Sequence, residues 1–223
     1  MRQLRWRAAA LLALILAPFH SGSALARPLR IVAFGDSLSA GFMLPANASF
    51  PGQLEAALRA KGRDVTVVNA GVSGDTASDG LARLDWSVPK GADLVIVEFG
   101  ANDMLRGLDP EITRRALNEM ISRLKARGAS VLLAGMRSTT NLGESYRGRF
   151  EAIYPALAKA HEVLLYPFFL DGIAEEAGFN LSDGIHPNRA GVAKIVEGIL
   201  PAVEAVLDRL GQAGAPSGAA GNR

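Results

Sequence analysis

With 223 residues, 49% of them hydrophobic and 21% charged, the chain has the length and composition of one globular domain with a full core, far from the signature of disorder. The formal charge of +2 comes from 24 Lys+Arg against 22 Asp+Glu; residues 1–26 hold three of the arginines and no acid, so the remainder balances at −1 and offers no basic footprint for DNA or RNA. The absence of cysteine excludes a disulfide framework, a cysteine nucleophile and thiolate metal sites.

At the start of the chain, Arg2, Arg5 and Arg7 precede the uninterrupted apolar run Ala8–Ala17, which Pro18 breaks. Ala24-Leu25-Ala26 then places small residues where a signal peptidase reads them. This is the layout of a secretory signal peptide, so residues 1–26 are expected to be removed from an exported protein, periplasmic or secreted. The apolar run is about half the ~20 residues a bilayer-spanning helix needs, and no later segment is long and apolar enough, so no integral membrane span is expected after cleavage.

Beyond that segment, apolar runs of strand length alternate with amphipathic stretches of helix length. Leu29–Phe34 predicts a first buried strand running into Gly35. A helix begins near Pro51, carries Leu54, Ala57 and Leu58 on one face and ends at Gly62, where a left-handed residue is wanted. Val65–Val68 predicts the second strand, entering Asn69-Ala70-Gly71, and a short helix follows around Thr76–Leu84. Leu94–Phe99 is the third strand, the most apolar of the set despite Glu98, and leads into Gly100-Ala101-Asn102-Asp103. Asp109-Pro110 reads as an N-cap followed by a proline at the first helical position. The helix it opens carries Ile112, Ala116, Met120 and Leu124 and stops at Gly128.

Val131–Ala134 predicts the fourth strand, residues 136–146 a polar irregular stretch, and Tyr146–His161 a helix with Pro155 inside it. Val163–Tyr166 is the fifth strand, and a last helix runs from about Pro187 to Leu210 with a kink expected at Pro201. Residues 211–223, rich in Gly, Ala, Ser and Pro, are expected to be a disordered tail. Five strands separated by helices predict an α/β domain over residues 27–210, a three-layer α/β/α flavodoxin-like sandwich on a five-stranded parallel sheet. In such sheets ligands bind at the carboxyl ends of the strands, where the polar, glycine-containing segments after strands one, two and three gather.

The chain has three histidines, one of which, His20, lies in the leader. His161 sits near the end of a helical pattern, a common structural place for a cation. His186 lies in Leu181-Ser182-Asp183-Gly184-Ile185-His186-Pro187-Asn188. Gly184 permits a tight turn, and Pro187 keeps the residue before it out of the helical region. A loop histidine with an aspartate three residues earlier can have one ring nitrogen held and the other free, as a general base requires; taken alone, it reads better as a solvated loop residue. Ser37, directly after the first strand in Phe34-Gly35-Asp36-Ser37-Leu38, would stand exposed at the site edge, with its own N–H available to an oxyanion. Gly74 offers an unobstructed backbone N–H and Asn102 a side-chain amide. Each of these residue types also favours ordinary turns; their joint occurrence after successive strands is what points to a site.

Gly35-Asp36-Ser37-Leu38 resembles the block that gives the GDSL hydrolases their name. The Gly74 turn, Asn102 and the Asp183-x-x-His186 pair resemble the other three blocks of the SGNH superfamily, in the same order. The resemblance runs from about Ile31 to Pro201. Longer strings, among them Ser73-Gly74-Asp75-Thr76, Gly80-Leu81-Ala82-Arg83-Leu84 and Leu105-Arg106-Gly107, are similar to the branch of multifunctional acyl-thioesterases, lysophospholipases and arylesterases. The resemblance implies Ser37 as nucleophile, His186 as base and Asp183 as its orienting carboxylate. It also implies an oxyanion hole from the Ser37 and Gly74 N–H groups and the Asn102 side chain, with no cofactor. Many relatives carry Gly-Gly-Asn-Asp where this chain has Gly100-Ala101-Asn102-Asp103, so an extra methyl group is expected to narrow the acyl pocket.

Other features are read structurally. Gly71-Val72-Ser73-Gly74-Asp75 lacks the final glycine of a lipase elbow, which leaves Ser73 a turn residue. Asp36, Asp75 and Asp103 are expected to hold backbone turns through their carboxylates. His161-Glu162 is not followed by a second histidine, and with so few candidate ligands no metal site is expected. The expected partner is a small-molecule ester, with the loop Arg137–Arg149, including Thr139, Asn141, Leu142 and Tyr146, bordering the acyl site. Carbohydrate O-deacetylation, or a non-catalytic binding protein on the same scaffold, are the alternatives.

Overall fold

The computed structural model describes residues 27–214, with side chains to residue 211. The expected signal peptide at residues 1–26 and the last nine residues of the chain, 215–223, lie outside the described residues. In chain order the elements are β1 (Leu29–Gly35), α1 (Ser37–Ala40), α2 (Phe50–Ala60), β2 (Val65–Asn69), α3 (Ala77–Ser87), β3 (Leu94–Glu98), α4 (Ala101–Leu105), α5 (Pro110–Ala126), β4 (Ser130–Ala134), α6 (Glu144–Glu151), α7 (Ile153–His161), β5 (Leu164–Tyr166) and α8 (Arg189–Gly214). Short 3₁₀ turns lie at Ala46–Ala48 and Thr140–Leu142.

The five strands form one parallel sheet in the order β2-β1-β3-β4-β5. Every residue of β3 is buried, as are Ile31–Gly35 of β1. Both strands are covered on both faces, which is why they read as continuous apolar runs rather than alternating ones. Helices α2 and α8 pack together on one side of the sheet, and α3, α5 and α7 form the other layer. This is the three-layer sandwich expected. The strand order reverses between β1 and β3, so the crevice at their carboxyl ends is the topological switch point where open α/β sheets bind ligands. Asp36-Ser37 leaves β1 on one side of it, and Gly100–Asp103 leaves β3 on the other.

The helices differ from expectation at several places, beginning with the short α1 and α4, which fill turns expected as irregular. The stretch expected as one helix over Tyr146–His161 is two, α6 and α7, meeting at Ala152. Pro155 falls in the first turn of α7, where its missing N–H removes no intrahelical bond. The final helix starts at Arg189 rather than Pro187, because the Asn188 side chain accepts the backbone N–H groups of Ala190 at 2.9 Å and Gly191 at 3.0 Å, the geometry of an N-cap. That helix keeps Pro201 inside it and continues to Gly214, four residues into the segment expected as a disordered tail. Helix α3 extends to Ser87 from a capping box in which Thr76 and Asp79 satisfy each other's backbone N–H.

Candidate active site

The site is built first from the turn between β1 and α1. Asp36 caps α1, accepting the Leu38 N–H at 3.0 Å, and so sets Ser37 at the first helical position. Gly35 has to be glycine. The Ser39 hydroxyl donates to Glu98 Oε2 at 2.8 Å alongside it, and a Cβ at position 35 would lie 2.3 Å from Ser39 Oγ and 2.5 Å from Glu98 Oε2. Ser37 is buried but for 8% of its surface.

The turn after Phe179 supplies the rest. Its ends are joined by an isolated bridge between Asn180 and Pro187, and by Leu181 N–H donating to His186 O at 2.7 Å. Within it, Asp183 Oδ1 accepts the backbone N–H groups of Ile185 (2.9 Å) and His186 (3.0 Å), while Oδ2 lies 2.7 Å from His186 Nδ1. Those hydrogen bonds to the charged form hold the Asp183 carboxyl down at about 2. The other ring nitrogen, His186 Nε2, lies 2.9 Å from Ser37 Oγ. A hydroxyl, an imidazole and a carboxylate thus form one hydrogen-bonded line between residues 149 positions apart in the chain. Phe42 stacks on the imidazole, with ring centroids 4.3 Å apart.

Asn102, the second residue of α4, comes in from the β3 side. Its Nδ2 donates to Asp36 Oδ2 and to the Asp75 backbone carbonyl, both at 3.0 Å, so both amide hydrogens are engaged. Gly74 is left-handed at φ +89° and its carbonyl accepts from Arg106 Nη2 at 2.6 Å. Ser37, Asn102 and His186 all line one cleft of about 260 Å³. Gly74 does not line it; its loop reaches the site through the neighbouring carbonyl of Asp75.

The carboxylates beneath this turn divide by partner. Asp36 accepts from Leu38 N–H, two residues on, and from Asn102, so it holds its turn as expected; Asp103 accepts from Ala77 N–H (2.8 Å) and Thr113 Oγ1 (2.9 Å), far along the chain, and ties α4 to α3 and α5 rather than holding a local turn. Asp75 instead pairs its carboxylate with Arg83 at 2.5 Å. Arg83 is buried against the Phe34 ring, 4.6 Å from its centroid, and its guanidinium also donates to the carbonyls of Gly35 (2.9 Å) and Ala70 (2.8 Å). One side chain therefore ties together the ends of β1 and β2 and the Gly74 loop. Burial pushes Asp36 up to about 7 and Glu98 well above the usual carboxylate range. Asp36 receives a donor on each oxygen, whereas Glu98 Oε1 is buried without a partner. Glu98 is therefore the member of the pair that carries the proton at neutral pH.

Residues 33–194 match the GDSL-like lipase/acylhydrolase family. The chain belongs to this family. Among its relatives, an arylesterase of Vibrio mimicus is 43% identical over 162 residues, 71% of this chain and 80% of that protein. The Escherichia coli K12 protein named thioesterase 1/protease 1/lysophospholipase L1 is 41% identical over 160 residues, 71% of this chain and 76% of that one. The crystal structure of AlinE4, an SGNH-hydrolase family esterase, is 41% identical and superposes with a TM-score of 0.69, over 82% of this chain and 99% of that one.

For a GDSL-like acylhydrolase the cleft has a mostly apolar wall, including Leu38, Met104, Met136, Phe168, Leu170 and Ile185. Ala101 lines it too. Of the loop Arg137–Arg149, Arg137, Ser138 and Thr139 reach the cleft, but Asn141, Leu142 and Tyr146 do not. The Tyr146 hydroxyl turns away to donate to the Leu108 carbonyl at 2.9 Å. Met136, Phe168 and Leu170 escaped the sequence reading because apolar residues beside a strand look like core; the usable signal was their place just past the carboxyl ends of β4 and β5. His161 lies away from the site at the end of α7, its Nε2 2.8 Å from Asn118 Oδ1. Among the described residues, no group of three or more His, Asp or Glu is placed to hold a metal ion, and no helix is long and apolar enough to cross a membrane.

Proposed function

We propose that this acylhydrolase is a serine esterase in which Ser37 is the nucleophile, His186 the base and Asp183 the carboxylate that orients it. The observation that carries the reading is the line Ser37 Oγ–His186 Nε2, 2.9 Å, and His186 Nδ1–Asp183 Oδ2, 2.7 Å. Nucleophile and base lie within proton-transfer reach, and the base is fixed by a third group. As Ser37 Oγ attacks an ester carbonyl, its proton passes to Nε2. The tetrahedral intermediate collapses, the C–O bond to the alcohol breaks, and Nε2 returns the proton to the leaving alcohol. Water then attacks the acyl-serine, giving its proton to Nε2 and releasing the acid, and Ser37 Oγ recovers its hydrogen.

The negative charge on the intermediate falls to the Ser37 backbone N–H and the Asn102 amide, which border the cleft, with the Gly74 N–H reaching it only if its loop turns toward the bound substrate. Because both Asn102 hydrogens are already engaged, the oxyanion shares one of them with its present acceptor, Asp36 or Asp75. The apolar wall of the cleft favours short- to medium-chain acyl or aryl esters. The names of the relatives extend the candidates to thioesters and lysophospholipids. The pattern of residues 1–26 supports export, which places intracellular acyl-CoA out of reach.

The test is hydrolysis of p-nitrophenyl esters from acetate to palmitate by the protein and its Ser37→Ala variant. Activity peaking at one chain length and abolished by the substitution is expected. Equal rates for both proteins on every ester would overturn the reading.

A further inference from the structure

Phe42 is partly exposed, at 36%, and does not line the cleft, whereas His186 does. Its ring meets the site through the imidazole, at a 31° tilt and 4.3 Å between centroids. The backbone that holds it there is strained. Gly41 on one side has φ +79° and Met43 on the other φ +56°; Met43 is 80% exposed, so no burial of its side chain offsets the cost of a left-handed non-glycine residue. The N–H groups of Gly41 (3.1 Å) and Phe42 (3.2 Å) both donate to the Ser37 carbonyl, so the ring rides on the turn that carries the nucleophile.

The hydrogen bonds and ring contacts of the His186 side chain run to three residues: Asp183, Ser37 and Phe42. Asp183 belongs to the same exposed turn and bonds only within it, so it orients the imidazole relative to that turn and not relative to Ser37. The hold across the site comes from Ser37 Oγ and the Phe42 face. If Ser37 is the nucleophile, on which this inference rests, the first of these disappears during turnover. An esterified Oγ has no proton to donate to Nε2. Through the life of the acyl-enzyme, Phe42 is the remaining one of the two holds, at the stage when His186 has to take a proton from water.

The geometry points to Phe42 as a positioning residue for deacylation. Its ring keeps the imidazole beside the acyl-serine when Ser37 no longer can. Acylation starts from the intact Ser37–His186 hydrogen bond and depends on Phe42 less.

The test compares the enzyme with Phe42→Leu, which keeps apolar bulk without a π face, and Phe42→Tyr, which keeps the ring. Stopped-flow hydrolysis of a p-nitrophenyl ester separates the p-nitrophenol burst from steady turnover, and intact-mass spectrometry follows the acyl-enzyme. A ring–ring contact of this kind corresponds to a deacylation rate about 2- to 13-fold lower in Phe42→Leu. kcat and KM should fall together, kcat/KM should stay within about twofold, the burst should grow, and Phe42→Tyr should restore the wild-type pattern. Phe42→Met serves as a second ringless variant should Phe42→Leu misfold by circular dichroism. Unchanged deacylation in the ringless variant, equal losses in kcat and kcat/KM, or a defect in Tyr matching that in Leu would each overturn the inference. A change in chain-length preference with kcat retained would make Phe42 a substrate contact and overturn it too. Failure of a serine-directed phosphonate, whose adduct does not turn over, to label Ser37 in the wild-type enzyme would be a failure of the nucleophile assignment itself, visible before any variant is made.

Discussion

Replacing Arg83 by methionine removes the side chain that ties three site loops together while leaving an unbranched apolar chain among the Phe34 and Phe99 rings. Arg83 and Asp75 are 7% and 15% exposed at their side chains, so their ion pair is largely shielded from water. Removing one member of a buried pair costs about 3–5 kcal/mol, because the other charge is left behind. Asp75 keeps some contact with solvent, which places the expected loss near the lower end, at about 3 kcal/mol. The Gly35 carbonyl still accepts the Val72 N–H at 3.1 Å, so its loss of a second donor adds little. For a domain of this size the unfolding midpoint should fall by about 6–12 °C, at roughly 2–4 °C per kcal/mol. Arg83→Lys retains a cation for Asp75 but has no planar fork to reach two carbonyls as well, and should lose about half as much. Urea titration followed by circular dichroism measures both, provided the slope is unchanged. A midpoint for Arg83→Met within about 0.5 kcal/mol of wild type, or full stability in Arg83→Lys, would refute the role of the guanidinium as a clamp.

Asn102→Ala should lower kcat by about 10²- to 10³-fold, the loss of one oxyanion donor, and near-wild-type turnover would remove Asn102 from the hole. His161→Ala should retain wild-type kcat, since its contact is Asn118 on α5; a loss comparable with His186→Ala would show that the wrong base was chosen. The buried acids make a prediction about pH. Burial raises Asp36 to about 7 and raises Glu98 well above the usual carboxylate range, so in weak acid the folded protein holds protons there that the unfolded chain releases near pH 4. The native state then binds more protons, so stability should fall as pH rises from about 4 through 7. Glu98→Gln should flatten that fall by up to about one proton and gain stability over wild type at pH 8 relative to pH 5, as read by denaturant midpoints across pH. A parallel pH dependence in the two proteins would show Glu98 to be charged.

Much of this molecule was legible from its residues. The strands announced themselves because a sheet covered on both faces needs unbroken apolar runs, and Leu94–Glu98 is one. The convergence of Ser37, Asn102 and the Asp183–His186 turn followed from their shared place after the strands or beside the last helix. What stayed hidden depended on three-dimensional company. Nothing in the local pattern says that Tyr146 bonds Leu108 rather than facing a ligand, or that Phe168 faces a cleft while its neighbour Phe169 is fully buried. The break at Ala152 is marked by Pro155, which in the sequence reads as lying inside one helix rather than in the first turn of a second, and the run of small residues after Leu210 looked like the end of order because composition does not register that a helix already 22 residues long propagates cheaply into its next turn. Asp75 was read as a local turn former, since its partner Arg83 lies eight residues on, across a helix start.

The closure of the Asp183–His186 pair within four consecutive positions has a consequence for how such an enzyme can diversify. On the proposed mechanism the base and its carboxylate form a cassette whose bonds to each other all lie within Asp183–His186, while its two ends are fastened at Asn180 and Asn188. Phe168, Leu170 and Ala174, which shape the wall where an acyl chain would lie, sit upstream of that cassette and share no hydrogen bond with it. Side-chain replacements at Phe168, Leu170 and Ala174 should therefore retune which ester is accepted while proton transfer is left alone, whereas insertions next to Ile173 and Glu176, which hold Asn180, should disturb both. Preference and chemistry are encoded in separable stretches of one short segment, which makes this stretch the natural target for laboratory evolution of new acyl selectivity.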